Sequence, residues 1–182
     1  MKPANVLEKV SLVPINGIST GFCERLAPCL EERFFYKFAV EKPLTLSPTQ
    51  ANSARHQFFL NTVFNRIVSA FPRHDGLLFG ILASDLYKTS HPFIFSDASE
   101  SDRVAVVSTF RLRNEFYNQP ADDTVLFNRT LKECGHALGH ASGLKHCYDA
   151  RCAMYLSQSV YDTDAKLTYF CDACDKRMRA NR

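Results

Sequence analysis

The spacing of hydrophobic positions changes along this chain, and each change marks an element. Val10-Ser11-Leu12-Val13 is an alternating, β-branched run closed by Pro14 and Asn16-Gly17, the pattern of a strand. Phe22, Leu26, Leu30 and Phe34 then recur every four residues and describe one helical face. Residues 35–46 form a weaker strand candidate, broken at Pro43. Leu60, Val63, Phe64, Ile67 and Val68 mark an amphipathic helix, expected over residues 52–70 and ended by Pro72 and Asp75-Gly76. The run Leu77-Leu78-Phe79-Gly80-Ile81-Leu82 is apolar throughout and predicts a strand covered on both faces, as does Val104-Ala105-Val106-Val107. Phe93-Ile94-Phe95 predicts a brief strand at a sheet edge. A helix is expected over residues 124–142, capped by Asp122 or Asp123. After His146 the apolar periodicity fades into a loop-rich tail.

Helix and strand patterns alternate throughout. The expected class is α/β: a three-layer-like sandwich of a mixed, mostly parallel twisted sheet with helices. A length of 182 residues fits a single domain, residues 1–182, with an α/β part at 1–143 and a Cys-rich part at 144–182. Hydrophobic residues at 46% and charged residues at 23% are an ordinary globular balance, which argues against disorder. No apolar run approaches a membrane span, so no membrane partner is expected. A net charge of +3 is too small to argue for nucleic acid. The basic cluster Lys176-Arg177-Met178-Arg179 reads as a solvated helix end, where positive charge suits the dipole. The opening M-K-P-A-N-V-L-E-K-V lacks a signal peptide's apolar stretch, so a cytoplasmic location is expected. In that reducing compartment, paired cysteines read as metal ligands before disulfides.

The chemistry concentrates in residues 133–146, E-C-G-H-A-L-G-H-A-S-G-L-K-H. On a helix His136 and His140 are four apart and stack on one face. Gly143 is the residue type that ends a helix in a left-handed turn, after which the reversed chain can deliver His146. Three neutral imidazoles with one position left open is how a catalytic zinc site is built. The spacing H-x-x-x-H-x-x-G-x-x-H is that of the metzincin metallopeptidases, except that Ala137 stands where their pattern has Glu. Glu133, one turn earlier, is placed to accept a hydrogen bond from a histidine N–H and fix its tautomer; a plain surface carboxylate is the alternative. Of seven cysteines, Cys147, Cys152, Cys171 and Cys174 fall as C-x4-C…C-x2-C, the donor set of a closed, structural zinc site. Cys23, Cys29 and Cys134 read as small core residues.

These residues together resemble the archaemetzincins. The segment H-A-L-G-H-A-S-G-L-K-H is followed directly by C-Y-D-A-R-C-A-M and later by C-D-A-C. Looser similarity covers Arg55-His56-Gln57-Phe58, Ser84-Asp85-Leu86-Tyr87, Phe93-Ile94-Phe95 and Val107-Ser108 leading to Arg111-Leu112-Arg113. The resemblance implies a zinc peptidase with two Zn2+ per chain: a catalytic ion on His136, His140 and His146, and a structural one on Cys147, Cys152, Cys171 and Cys174. It implies that Met154 forms the turn beneath the catalytic metal and that Phe93-Ile94-Phe95 pairs with a peptide or protein substrate. Aminopeptidase action is the first activity it suggests. In the family mechanism the glutamate after the first histidine takes the proton of the attacking water and returns it to the leaving amine. Ala137 can do neither, so the chain is expected to be inactive or strongly impaired. An intact ligand set around one missing carboxylate fits a deliberately inactivated mutant; a natural peptide-binding pseudoenzyme is the other account.

Overall fold

A computed structural model describes residues 8–181. The opening residues 1–7, on which the signal-peptide expectation partly rests, lie outside the described residues. The first alternating run becomes β1 (Lys9–Ile15), and the four-residue repeat becomes α1 (Thr20–Phe34), with the Ser19 hydroxyl accepting from the Phe22 N–H. The weak candidate after it shortens to β2 (Lys37–Val40), and β5 (Leu77–Leu82) and β9 (Val104–Ser108) are buried at every position. The main sheet has the order β2-β1-β5-β9-β8, where β8 is Ser96–Ser99. All its pairings are parallel except β8 with β9.

Side-chain alternation along these strands builds the layers. Val10 and Leu12 of β1 and Leu77, Phe79 and Ile81 of β5 pack with α1 and with α3 (Asp123–Ala141) on one face. Val13, Ile15, Leu78 and Leu82 pack with α2 (Leu60–Ala70) on the other. The expected mixed, mostly parallel sandwich is therefore present.

Three elements differ from expectation. The helix expected from residue 52 begins at Leu60, because the Asn52 carboxamide accepts from the N–H groups of Ala54 and Arg55 and turns the chain. The residues around that turn form β3 (Ala51–Asn52) and β4 (Gln57–Phe59), which with β6 (Leu86–Lys88) and β7 (His91–Ile94) make a second sheet ordered β3-β4-β6-β7. The strand expected at Phe93-Ile94-Phe95 is present at a sheet edge, but the edge is that of this small sheet and Phe95 falls outside the strand; β8, one of the two edges of the main sheet, runs beside α3. The tail is also less loop-like than its pattern suggested, holding α4 (Val160–Ala165) and α5 (Asp172–Ala180). Only Cys174 and Met178 of α5 are buried, so its apolar stripe is too narrow to register as a period. Among the described residues, no helix is long and apolar enough to cross a membrane.

Candidate metal centres

The Asp122 carboxylate starts α3 by accepting from the N–H groups of Thr124 and Val125 at 2.9 and 3.0 Å. The helix presents His136 and His140 on one face and stops at Ser142. Gly143 takes φ +79°, a conformation costly for any residue with a Cβ, and the Leu144 N–H closes onto the Gly139 carbonyl. That turn brings round His146. It also aims the Leu144 carbonyl at His140 Nδ1, 2.9 Å away. His136 Nδ1 lies 2.8 Å from the Ala153 carbonyl.

A carbonyl oxygen only accepts, so both Nδ1 atoms carry the proton and both Nε2 atoms present lone pairs. Those two Nε2 atoms are 3.0 Å apart. Neutral rings in this tautomer repel across that gap, and a cation between them removes the conflict. Zinc–nitrogen bonds at tetrahedral angles would set the pair about 3.3 Å apart. The three imidazoles together offer nitrogen atoms within 4.8 Å of one another. All three are held below the usual histidine pKa, chiefly by burial, with Lys166 acting on His136, His146 on His140, and Lys88 on His146. Each shift favours the neutral ring, the form that ligates a metal.

Cys147, Cys152, Cys171 and Cys174 converge as a second group with sulfurs within 4.8 Å of one another. Cys147 Sγ and Cys171 Sγ are 3.8 Å apart, too far for a disulfide and close to the edge of about 3.8 Å that a tetrahedron with zinc–sulfur bonds of about 2.3 Å requires. Burial pushes the Cys152 and Cys174 thiols up. At Cys171 burial works the same way, but the Cys174 N–H and the neighbouring thiols outweigh it and push that thiol down. The donor set of each cluster suits zinc: three imidazole nitrogens, one short of a tetrahedron, in one, and four thiols in the other.

Met154 is fully buried, and its sulfur sits against Gly139, where any Cβ would collide with it; the glycine between the two histidines is set by that approach. Ala137 is also fully buried. Tyr155 is half-buried and bridges Cys147 through the backbone. Cys23 and Cys134 lie in the core, and Cys29 packs at its margin.

Glu133 does not accept from a histidine. The imidazole partners are the backbone carbonyls just described, and the Glu133 carboxylate instead receives Ser96 Oγ and Ser157 Oγ at 3.0 Å, Thr163 Oγ1 at 2.7 Å and Lys166 Nζ at 2.9 Å. Lys166 and Glu133 expose 0% and 2% of their side chains. No local pattern announces this pair, because a lysine in a polar tail is ordinarily solvated. Burial opposes ionisation of Glu133, but the Lys166 ammonium and the hydrogen bonds from Lys166 and Thr163 hold its carboxyl well below the usual range. A depressed carboxylate stabilises the fold above its unfolded pKa of about 4.3, and that stability is lost as the pH falls below it. Lys166→Met, which strands a buried charge, is expected to cost about 3–5 kcal/mol, read as a lower urea midpoint at pH 7. Glu133→Gln with Lys166→Met should recover most of it.

The looser similarity noted upstream is also gathered in space. Asp85 takes a bidentate pair from Arg111, Nε on Oδ1 and Nη2 on Oδ2, and a bond from Gln57, Arg55 bonds Gln57 and the Pro92 carbonyl, and Arg111 lies over the Phe93 ring. This network pins β4 and β6 to the segment after β9. Beside the histidines, Lys88 pairs with Asp97 of β8 at 2.7 Å.

Residues 52–180 match the family described as Peptidase family M54. The archaemetzincin of Thermococcus kodakarensis is 39% identical over 178 residues, covering 94% of this chain and 96% of its own length. That of Pyrococcus furiosus is 33% identical over 178 residues, covering 94% and 92%. Among solved structures, archaemetzincin from Methanopyrus kandleri superposes with a TM-score of 0.81 at 26% identity, over 100% of this chain and 98% of that one. Archaemetzincin from Archaeoglobus fulgidus, crystallised with malonate, gives 0.79 at 28% identity, over 93% and 99%.

Proposed function

This chain belongs to peptidase family M54, a zinc metallopeptidase family acting on peptides, and on that premise we propose a two-zinc peptidase fold silenced at Ala137. His136, His140 and His146 hold the catalytic ion, and Cys147, Cys152, Cys171 and Cys174 hold the structural one. The observation that carries this is the pair of Nε2 lone pairs 3.0 Å apart, each fixed by a carbonyl behind its ring. Zinc bound there would supply Lewis acidity toward a peptide carbonyl and toward water. The protein's part is to keep the rings neutral, to seat Met154 beneath them and to offer β8 as the free strand edge along which an extended peptide can lie. Moving the water's proton is the part that is missing, since Ala137 has no group that accepts it. We read the chain as one domain, with an α/β part at 1–143 and a Cys-rich part at 144–182; the single-domain reading is supported by Cys152, Met154, Cys174 and Met178 packing into the same core as α1 and α3.

The absent carboxylate also favours a second reading, a peptide-binding pseudoenzyme, which would bind peptide in a metal-dependent way and show no turnover even with glutamate at 137. Metal content by mass spectrometry tests the shared premise. The parent chain is expected to carry two zinc ions. His140→Ala should keep only the thiolate ion, and Cys171→Ala should lose it. A parent fully loaded with zinc yet holding none at the histidines would end both readings.

A further inference from the structure

The buried ion pair behind the histidines takes no part in ligation as described, and replacing such a pair by apolar residues is often neutral or stabilising. Its placement gives it another role. Glu133 and His136 are three apart on α3 and share a face, about 4.5 Å along the axis. The Glu133 carboxylate gathers four donors from three other segments: Ser96 on β8, Ser157 on the turn after Met154, and Thr163 and Lys166 at α4 and just past it. Lys166 Nζ also reaches the Tyr155 carbonyl at 3.5 Å. The turn so fastened, residues 153–157, begins with the Ala153 carbonyl that holds His136 Nδ1, and it is tied to the Cys cluster through the Cys147 N–H on the Met154 carbonyl.

We propose that Glu133 and Lys166 are positioning residues for the three-histidine centre. They lock the turn that orients His136, and through Ser96 they set the β8 edge over α3. The inference rests on the metal assignment above, and its consequence is selective. Loosening the turn frees the His136 ring from its carbonyl, whereas the second cluster keeps ties outside that turn: the Cys171 N–H on Cys152 Sγ, the Cys152 N–H on the Asp149 carbonyl, and the Asp175 N–H on the Cys171 carbonyl at the head of α5.

The test compares the zinc-loaded parent with Ser157→Ala, which removes one tie without burying a charge, and with the charge-free double variant Glu133→Gln, Lys166→Met. Zinc affinity is read by graded chelator competition. Cobalt substitution separates the sites, because thiolate ligation gives charge-transfer absorbance and imidazole ligation does not. Both variants are expected to lose roughly 10–100-fold in affinity at the histidines, the usual loss when a group holding a ligand in place is removed. The thiolate site should change by less than about threefold, a selectivity that a merely structural role would not produce. Unchanged affinity at the histidines in Ser157→Ala and in the folded double variant would overturn the proposal, as would an equal loss at both sites. If the parent itself binds zinc only through the thiolates, the metal assignment fails first and takes this inference with it.

Discussion

Placing glutamate at position 137 is expected to raise peptide hydrolysis by at least about 10²–10⁴-fold, the usual worth of one general acid–base group. The figure is a lower bound, because one carboxylate would serve both the attack on the carbonyl and the departure of the amine. The scaffold around the substitution is intact. Position 137 follows His136 directly on a helix capped at Asp122 and closed by Gly143, and both helical imidazoles are already held in the tautomer that frees Nε2. Two carboxylates near the histidines are already engaged. Glu133 sits about 6 Å along the axis from position 137, and its oxygens are engaged by three hydroxyls and an ammonium. Asp97 is paired with Lys88 and accepts its neighbour Ala98's N–H. The measurement is turnover of a broad peptide library, including substrates with free amino termini, by parent and Ala137→Glu at equal zinc content. Activity that appears in the variant and vanishes with chelator supports the peptidase assignment. A variant holding both ions and cleaving nothing would move the case to the peptide-binding account.

What could be read from the sequence was what is local. The histidine spacing needs only helix geometry and one glycine, and the cysteines need only a donor count, so both clusters are legible in the chain itself. The buried strands announced themselves because Leu77–Leu82 and Val104–Ser108 are covered on both faces. What the sequence hides depends on distant partners. Lys166 resembles any tail lysine until Glu133, 33 residues earlier, is placed against it. Gln57 looks polar and exposed until Asp85 and Arg55 enclose it. Phe93-Ile94-Phe95 reads as an edge strand from its short apolar run, whereas the main-sheet edge at β8 is Ser-Asp-Ala-Ser, small and polar, meeting Glu133 of α3 through Ser96 and Lys88 through Asp97. Apolar periodicity cannot find a strand whose partners are polar.

The second large effect follows from the adjacency of His146 and Cys147. Cys171→Ala, or stripping the thiolate ion with a strong chelator, is expected to remove on the order of 10 kcal/mol of folding free energy from the C-terminal part, the scale of a structural zinc site. Residues 144–181 contribute few core side chains, and Cys152 and Cys174 are themselves among them. Four thiols brought together without a cation gain nothing to offset the entropy of ordering the loops between them. Loss should therefore spread in one direction. The turn at residues 153–157 loosens with the cluster, the Ala153 carbonyl leaves His136, and His146 is freed with its neighbour, so the histidine ion is weakened as well. The converse does not hold, because His140→Ala leaves the thiolates and their backbone ties untouched. Limited proteolysis with zinc analysis reads this asymmetry: rapid cleavage between residues 147 and 171 with depletion of both ions in Cys171→Ala, against a resistant chain with one retained ion in His140→Ala. Equal protease resistance of the two variants would show that the thiolate cluster does not hold this region together.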